Sequence, residues 1–352
     1  MSPYPPLVQR TDAAVRNLPP ASFAFVMATA ITALGFDVLD QRIISLTLIS
    51  IAVAGGVVLM IATVWRLVRH TDQVLADIRN AAKTFGFFTI VAACNVVGAY
   101  ASMSENVVVF TWLAVFSAVV WIFLTYALPA NVLLTHGDRS VLTDVNGSWF
   151  LWVVGTQSVA TSSAIAARHF HPEIMSAVAI GLWGVGIALY MIVATLVTLR
   201  MLVRENVPTG LSPTYWIYMG ATAISVLAGS RILLLPLDLP VMEAAALFVS
   251  GMSFLLWSLG LWWIPLLIIF GIWRHFIRKV PVTYEAALWS IVFPMGMYSV
   301  ASILYGATRD LEFMIRVGQT GIWLAALVWL LATVAMLRAG MRWYRAPARA
   351  AA

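Results

Sequence analysis

Charged side chains are scarce in this chain: they make up 10% of its 352 residues, against roughly 25% in a soluble domain. That shortage excludes an ordinary soluble globular protein. Cysteine is scarcer still, and the single Cys94 excludes an intramolecular disulfide or a cysteine metal cluster. The first nineteen residues hold Arg10, Asp12, Arg16 and four prolines but no long apolar core, so no cleavable signal peptide is expected. His169 and His171 flank Phe170 with no third ligand nearby, so no metal site is expected. No set of nucleophile, base and metal ligand converges, which argues against an enzyme and implies no cofactor.

What the chain has in abundance is apolar sequence. Hydrophobic residues make up 62% and the mean hydropathy is +0.92, so the expected class is an all-α polytopic membrane protein. Stretches long enough to span run over residues 20–36, 43–65, 84–102, 107–128, 149–167, 176–199, 215–235, 242–272, 287–304 and 319–337. The longest of them carries Trp262, Trp263 and Pro265 near one end and is expected to tilt or break there. The net charge of +6 falls between the apolar spans, which points to orientation in a membrane and not to nucleic acid. With the N-terminus inside, every Lys and Arg except Arg42, Arg168, Arg231, Arg309 and Arg316 lies on the cytoplasmic side. Both termini are therefore expected in the cytoplasm, with an even number of spans. Arg66 and Arg69, Arg200 and Arg204, Arg274 and Arg278, and Arg338 and Arg342 close even-numbered spans and read as anchors to the inner leaflet.

Odd-numbered spans begin near residues 20, 84, 149, 215 and 287, a period of about 65 to 70 that suits one helical hairpin with its loops. The odd spans are richer in Gly, Ala, Ser and Thr; the even spans are richer in Leu, Val, Ile and Trp. Small residues suit close helix contact or a watery lining, and bulky aliphatics suit lipid. The expectation is five hairpins forming an inner ring of odd helices inside an outer ring of even ones. Dense packing without a pore produces the same composition, so composition leaves both arrangements open.

Residues 287–304, ALWSIVFPMGMYSVASIL, hold Phe293, Pro294 and Gly296 in mid-span. Pro294 lacks an N–H and crowds the carbonyl of Ser290, so a kink is expected, and the freed carbonyl needs another partner in lipid. A large ring just before such a kink is either a plug in a pore or core filling. The polar groups inside odd spans are neutral, with Asn95, Thr156, Gln157, Ser158, Thr222, Ser225 and Ser299, together with Gly155, as pore-lining candidates, while the acids sit in loops and at span ends. Hydroxyls and amides donate to an anion without trapping it, although the same groups also make structural bonds between helices. Arg231, within GSRILLLP, is a cation deep in apolar sequence near the outer end of the seventh span. It is a candidate for drawing anions to the external mouth, or else an interfacial anchor.

Three runs carry a resemblance: WFLWVVGTQSVATSSA (149–164), FPMGMYSVAS (293–302) and PPASFAFVMATAITALGF (19–36). They resemble the tellurite-resistance and dicarboxylate transporter family, which includes plant slow-type anion channels, a bacterial tellurite-resistance protein, and yeast malate and sulfite transporters. The likeness extends from about residue 19 to 337. It implies a homotrimer of ten-helix protomers, each with a pore lined by the odd helices, and a ninth-helix phenylalanine that occludes the pore and falls on Phe293. Relatives often carry prolines early in the fifth helix. This chain has Leu151, Trp152 and Val153 there, leaving any kink to Gly155.

The resulting expectation is a tail over residues 1–18, a transmembrane domain over 19–338 and a basic tail over 339–352, in the inner (cytoplasmic) membrane. The domain would conduct small anions (chloride, nitrate, sulfite, tellurite or dicarboxylates). Its rivals are a proton-coupled carrier for malate-like dicarboxylates, a sulfite or tellurite exporter and, from another class, a membrane-embedded enzyme or receptor.

Overall fold

A computed structural model describes residues 7–135, 141–203 and 210–345, and among the described residues the chain is helical, with no strand. Helix is the expected solution for apolar sequence in lipid, because it satisfies every backbone N–H and C=O within the segment. All ten apolar stretches are helical, as α2 (Ala24–Val38), α3 (Arg42–Arg69), α5 (Phe88–Met103), α6 (Val107–Thr135), α7 (Phe150–Ala166), α8 (Pro172–Val203), α9 (Ile217–Ile232), α10 (Pro240–Ile272), α11 (Trp289–Thr308) and α12 (Glu312–Arg345). Two short helices, α1 (Leu7–Arg16) and α4 (Thr71–Arg79), complete the set. Among the described residues eight helices are long and apolar enough to cross a membrane; α7 and α9, rich in small and hydroxylated residues, fall outside that group. α10 does not break at Pro265. It runs on to Ile272, and the irregularity comes after it, as a π-helical turn over Trp273–Ile277.

Each of α2, α5, α7, α9 and α11 is entered through a 3-10 turn: Pro20–Phe23, Thr84–Phe87, Gly147–Trp149, Pro213–Trp216 and Ala286–Leu288. Every turn, with the residue after it, supplies an aromatic ring, among them Phe23, Phe87, Trp149, Trp216 and Trp289. These helices pack side by side in the order α2, α5, α7, α9, α11 and back to α2, and their entry turns touch in the same cyclic order. All five therefore start at one end of the bundle. Each also packs against the helix that follows it: α3, α6, α8, α10 and α12 respectively.

Burial separates the two sets. The windows over Pro20–Val38, Thr84–Met103 and Ala286–Thr308 are each 72% buried, against 17–39% for the long helices α3, α6, α8, α10 and α12. α9 is buried at every position except Arg231, the pattern of a helix enclosed on all sides. Glycines set the close approaches. A Cβ built on Gly155 of α7 would lie 2.5 Å from the Phe88 ring of α5, and one on Gly318 of α12 would lie 2.4 Å from the Ser299 carbonyl of α11. Packing of this kind replaces the hydrophobic driving force, which lipid does not supply between helices.

α1 and the end of α12 meet on the face where the inner helices begin. The Arg10 guanidinium donates to the Trp343 and Tyr344 carbonyls and stacks over the Trp343 ring at 4.7 Å. Asp12 of α1 reaches His70 at 3.1 Å. Arg139, Arg204 and Arg349, expected on this side, lie outside the described residues.

Candidate functional site

On the axis of the five-helix circuit sits a small void of about 20 Å³. It is bordered by Ile31 and Leu34 of α2, Asn95, Val96 and Ala99 of α5, Ser158 and Thr161 of α7, Ile224 and Leu227 of α9, and Met297 of α11. All five inner helices contribute. The volume accommodates about one water and no hydrated anion, so the axis is closed at this level.

Phe293 is completely buried and lies four residues before Met297 on α11. Residues i and i+4 share a helix face, so Phe293 stands one turn, about 6 Å, from the void on the side of the entry turns. Its neighbours fix that direction. Pro294 is turned toward α9, where a Cβ on Gly220 would lie 2.8 Å from the proline Cγ. Gly296 is turned toward α2, where its own Cβ would lie 3.0 Å from Ile31 Cγ2. At about 100° per residue, the bisector of these two contacts passes between Phe293 and Met297, and the opposite side of α11 carries Ser299 and Ser302. Ser302 accepts from Trp257 of α10 at 2.8 Å, and Ser299 Oγ sits 2.3 Å from where a Cβ on Gly321 of α12 would be. The face bearing Phe293 is thus the axial one. α11 itself runs unbroken through Pro294.

Of the other residues singled out in the sequence, Asn95 and Ser158 reach the void. Asn95 Nδ2 donates to Ser158 Oγ at 2.9 Å, and Ser162 Oγ donates to Asn95 Oδ1 at 2.8 Å. Gly155 lies in the α5–α7 seam, and its carbonyl accepts from Ser158 Oγ at 2.7 Å. The remaining polar residues hold outer helices. Thr156 Oγ1 accepts from Trp121 of α6 at 3.1 Å, and Gln157 Nε2 donates to the Trp183 carbonyl of α8 at 3.1 Å beside Gly186. Thr222 donates to the Met219 carbonyl and sits against Gly260 of α10. Ser225 donates to the Ala221 carbonyl, and its own carbonyl accepts from Trp183 Nε1. Arg231, partly exposed at the far end of α9, approaches the Met103 sulfur at 3.9 Å.

The entry end holds a feature that pattern reading missed. A cavity of about 400 Å³ opens among the entry turns, bordered by Arg16, Arg66, Asp77 and Lys83 together with Pro20, Gly86, Ser148 and Thr214. Arg66, expected as an anchor, is buried instead: its Nη2 donates to Asp77 Oδ2 at 2.6 Å and its Nε to the Arg16 carbonyl at 3.0 Å. Lys83 Nζ stands 3.4 Å from Asp77 Oδ1. Three cations against one carboxylate leave the cavity positive. Five helix N-termini face the same end, each equivalent to about half a positive charge. The available signal was the repeated aromatic-rich turn before each odd span, which marks the ring of entries but not what surrounds it.

Residues 17–337 match the voltage-dependent anion channel family. The chain belongs to that family. The chain is also similar to proteins of a bacterium and an archaeon. An uncharacterized membrane protein of Mycobacterium tuberculosis is 42% identical over 149 residues, covering 42% of this chain and 75% of the relative. Two uncharacterized transporters of Methanocaldococcus jannaschii match nearly end to end. One is 24% identical over 90% of this chain and 91% of its own length, the other 21% over 91% and 94%. For an anion channel family member, the positive entry cavity and the closed five-helix axis are the two features that bear on transport.

Proposed function

We propose that this protein carries small anions across the cytoplasmic membrane through a pore in each protomer, enclosed by α2, α5, α7, α9 and α11 and shut at rest by Phe293. In this reading all ten long helices span, as five hairpins, with the second helix of each facing lipid. Protomers assemble as a trimer with both termini in the cytoplasm. The observation that carries the reading is the closed cycle of five parallel inner helices, whose void is bordered by every one of them and shares its α11 face with a buried phenylalanine. Positive helix ends and the cation-rich cavity attract anions to the entry. At the centre the bordering side chains are uncharged, so none holds an ion by full charge, as conduction requires.

None of the ten residues bordering the void is titratable, so the axis holds no proton carrier at this level. This favours passive movement over a proton-coupled dicarboxylate carrier or a sulfite or tellurite exporter. The deciding experiment is flux of chloride, nitrate, sulfite and malate in liposomes, each with and without a pH difference. The proposal expects flux that follows voltage and ignores the pH gradient. Saturable flux driven by the gradient would replace it with the carrier.

A further inference from the structure

The cavity among the entry turns differs in chemistry from the void between the inner helices: its wall exposes polar atoms, and the wall of the void exposes none. It touches the entry turns of α2, α5, α7 and α9, so four of the five inner helices begin at its edge. Three cations and one carboxylate border it, a surplus of two positive charges. The carboxylate is already engaged at both oxygens, Asp77 Oδ2 by Arg66 Nη2 at 2.6 Å and Oδ1 by Lys83 Nζ at 3.4 Å. Arg66 is buried and fixed by that pair, which leaves Arg16 and Lys83 as the accessible cations. The Lys83 side chain is 58% exposed, and its long contact with Asp77 uses one of its three N–H groups. Arg16 is exposed and in no ion pair among the described residues; Asp72, which acts on it from farther off, is bonded to Gln73.

Two hydroxyls add to the donors. Ser212 Oγ and Thr214 Oγ1 lie 2.6 Å apart on the cavity's border, and since that bond uses one of their two hydrogens, the other is available to an acceptor. A volume of about 400 Å³ holds a tetrahedral oxyanion with part of its hydration, as each water occupies about 30 Å³. From the surplus charge, the donors and the absence of a free carboxylate on the border, we infer that this cavity is a binding site for a tetrahedral dianion of the sulfate type, held by Lys83 and Arg16 with Ser212 and Thr214. Such an ion brings two charges to a surplus of two and four oxygens that accept from donors on separate elements. A halide brings one charge. An oxyanion that must give up a hydrogen of its own finds the bordering carboxylate occupied. A dianion held where four inner helices begin obstructs the approach of smaller anions from that side; this consequence, unlike the binding itself, rests on the reading that the axis is the anion path.

The test is calorimetric titration of sodium sulfate into the full-length protein in lipid-free detergent at fixed ionic strength, with sodium chloride as the comparison. Saturable binding is expected, about tenfold or more tighter for sulfate than for chloride. Lys83→Met should weaken sulfate by about tenfold or more, the worth of one charged hydrogen bond. Arg16→Gln, which keeps the carbonyl that receives Arg66, and the Ser212→Ala with Thr214→Val pair should each weaken it severalfold. Arg69→Met is the control: an exposed cation of α3 outside the cavity, whose loss should leave sulfate binding unchanged. Absence of saturable binding, a Lys83→Met protein that binds as the parent does, or an equal loss in Arg69→Met overturns the inference, and Arg16→Gln decides in the same way if Lys83→Met does not fold. In liposomes carrying Phe293→Ala, sulfate added on the entry side should lower chloride flux severalfold. Sulfate that binds without lowering that flux would refute the obstruction alone, whereas absence of chloride flux would remove the transport reading and leave the site standing.

Discussion

Gly220 of α9 lies against the ring of Pro294 on α11, so closely that a Cβ on the glycine would stand 2.8 Å from the proline Cγ. The contact joins two inner helices at the level of Phe293. Gly220→Ala forces the helices apart or the proline aside, and overpacking of this kind costs about 1–3 kcal/mol. A lower melting temperature in detergent is the expected result. Gly56→Ala on α3 is the control, since its nearest neighbour lies at an ordinary 3.6 Å and a glycine-to-alanine change in a helix gains up to about 1 kcal/mol.

Phe293→Ala removes the buried ring from the axial face of α11. Anion flux into reconstituted liposomes is expected to rise by about tenfold or more, equivalent to about 1.4 kcal/mol off the barrier. Phe293→Leu, which keeps most of the bulk, should fall between the two. Flux unchanged by the alanine would remove the gate from this position.

Arg66 and Asp77 form a pair whose side chains are only 7% and 12% exposed. Breaking such a pair leaves an uncompensated buried charge and costs about 3–5 kcal/mol, whereas replacing both partners by apolar residues is close to neutral. Arg66→Met alone should melt at a clearly lower temperature than Arg66→Met with Asp77→Leu. Equal melting of the two would show that the pair contributes little. The double variant removes one charge of each sign and leaves the net charge of the entry cavity unchanged, so its flux and salt dependence should stay close to those of the parent.

Sidedness can be read with single cysteines on a Cys94→Ala background. Val8 is 71% exposed, Tyr344 67% and Leu237, in the turn between α9 and α10, 67%. Val8→Cys and Tyr344→Cys should react with a membrane-impermeant reagent from the cytoplasmic face, and Leu237→Cys from the opposite one. Labelling of position 8 from outside would break the proposed topology. Cross-linking in mild detergent should trap trimers.

The two kinds of information separate along physical lines. Hydropathy and the 65-to-70-residue period place all ten helices from sequence alone, because a helix that must satisfy its own backbone in lipid needs little from its neighbours. Composition likewise marks the inner set, since only small residues allow backbones to approach as closely as Gly155, Gly220 and Gly296 require. Composition cannot say which way a hydroxyl points. Thr156, Gln157, Thr222 and Ser299 turn outward to α6, α8, α10 and α12, because the rotation of each inner helix is set by its packing against neighbouring helices. Arg66 resembles every other span-end arginine until α4 brings Asp77 beside it. The sequence by itself determined a bundle of membrane helices with one suspect phenylalanine. Only tertiary packing decided which side chains face the axis, how the Asn95 amide is turned, and that the positive entry sits where five helices begin.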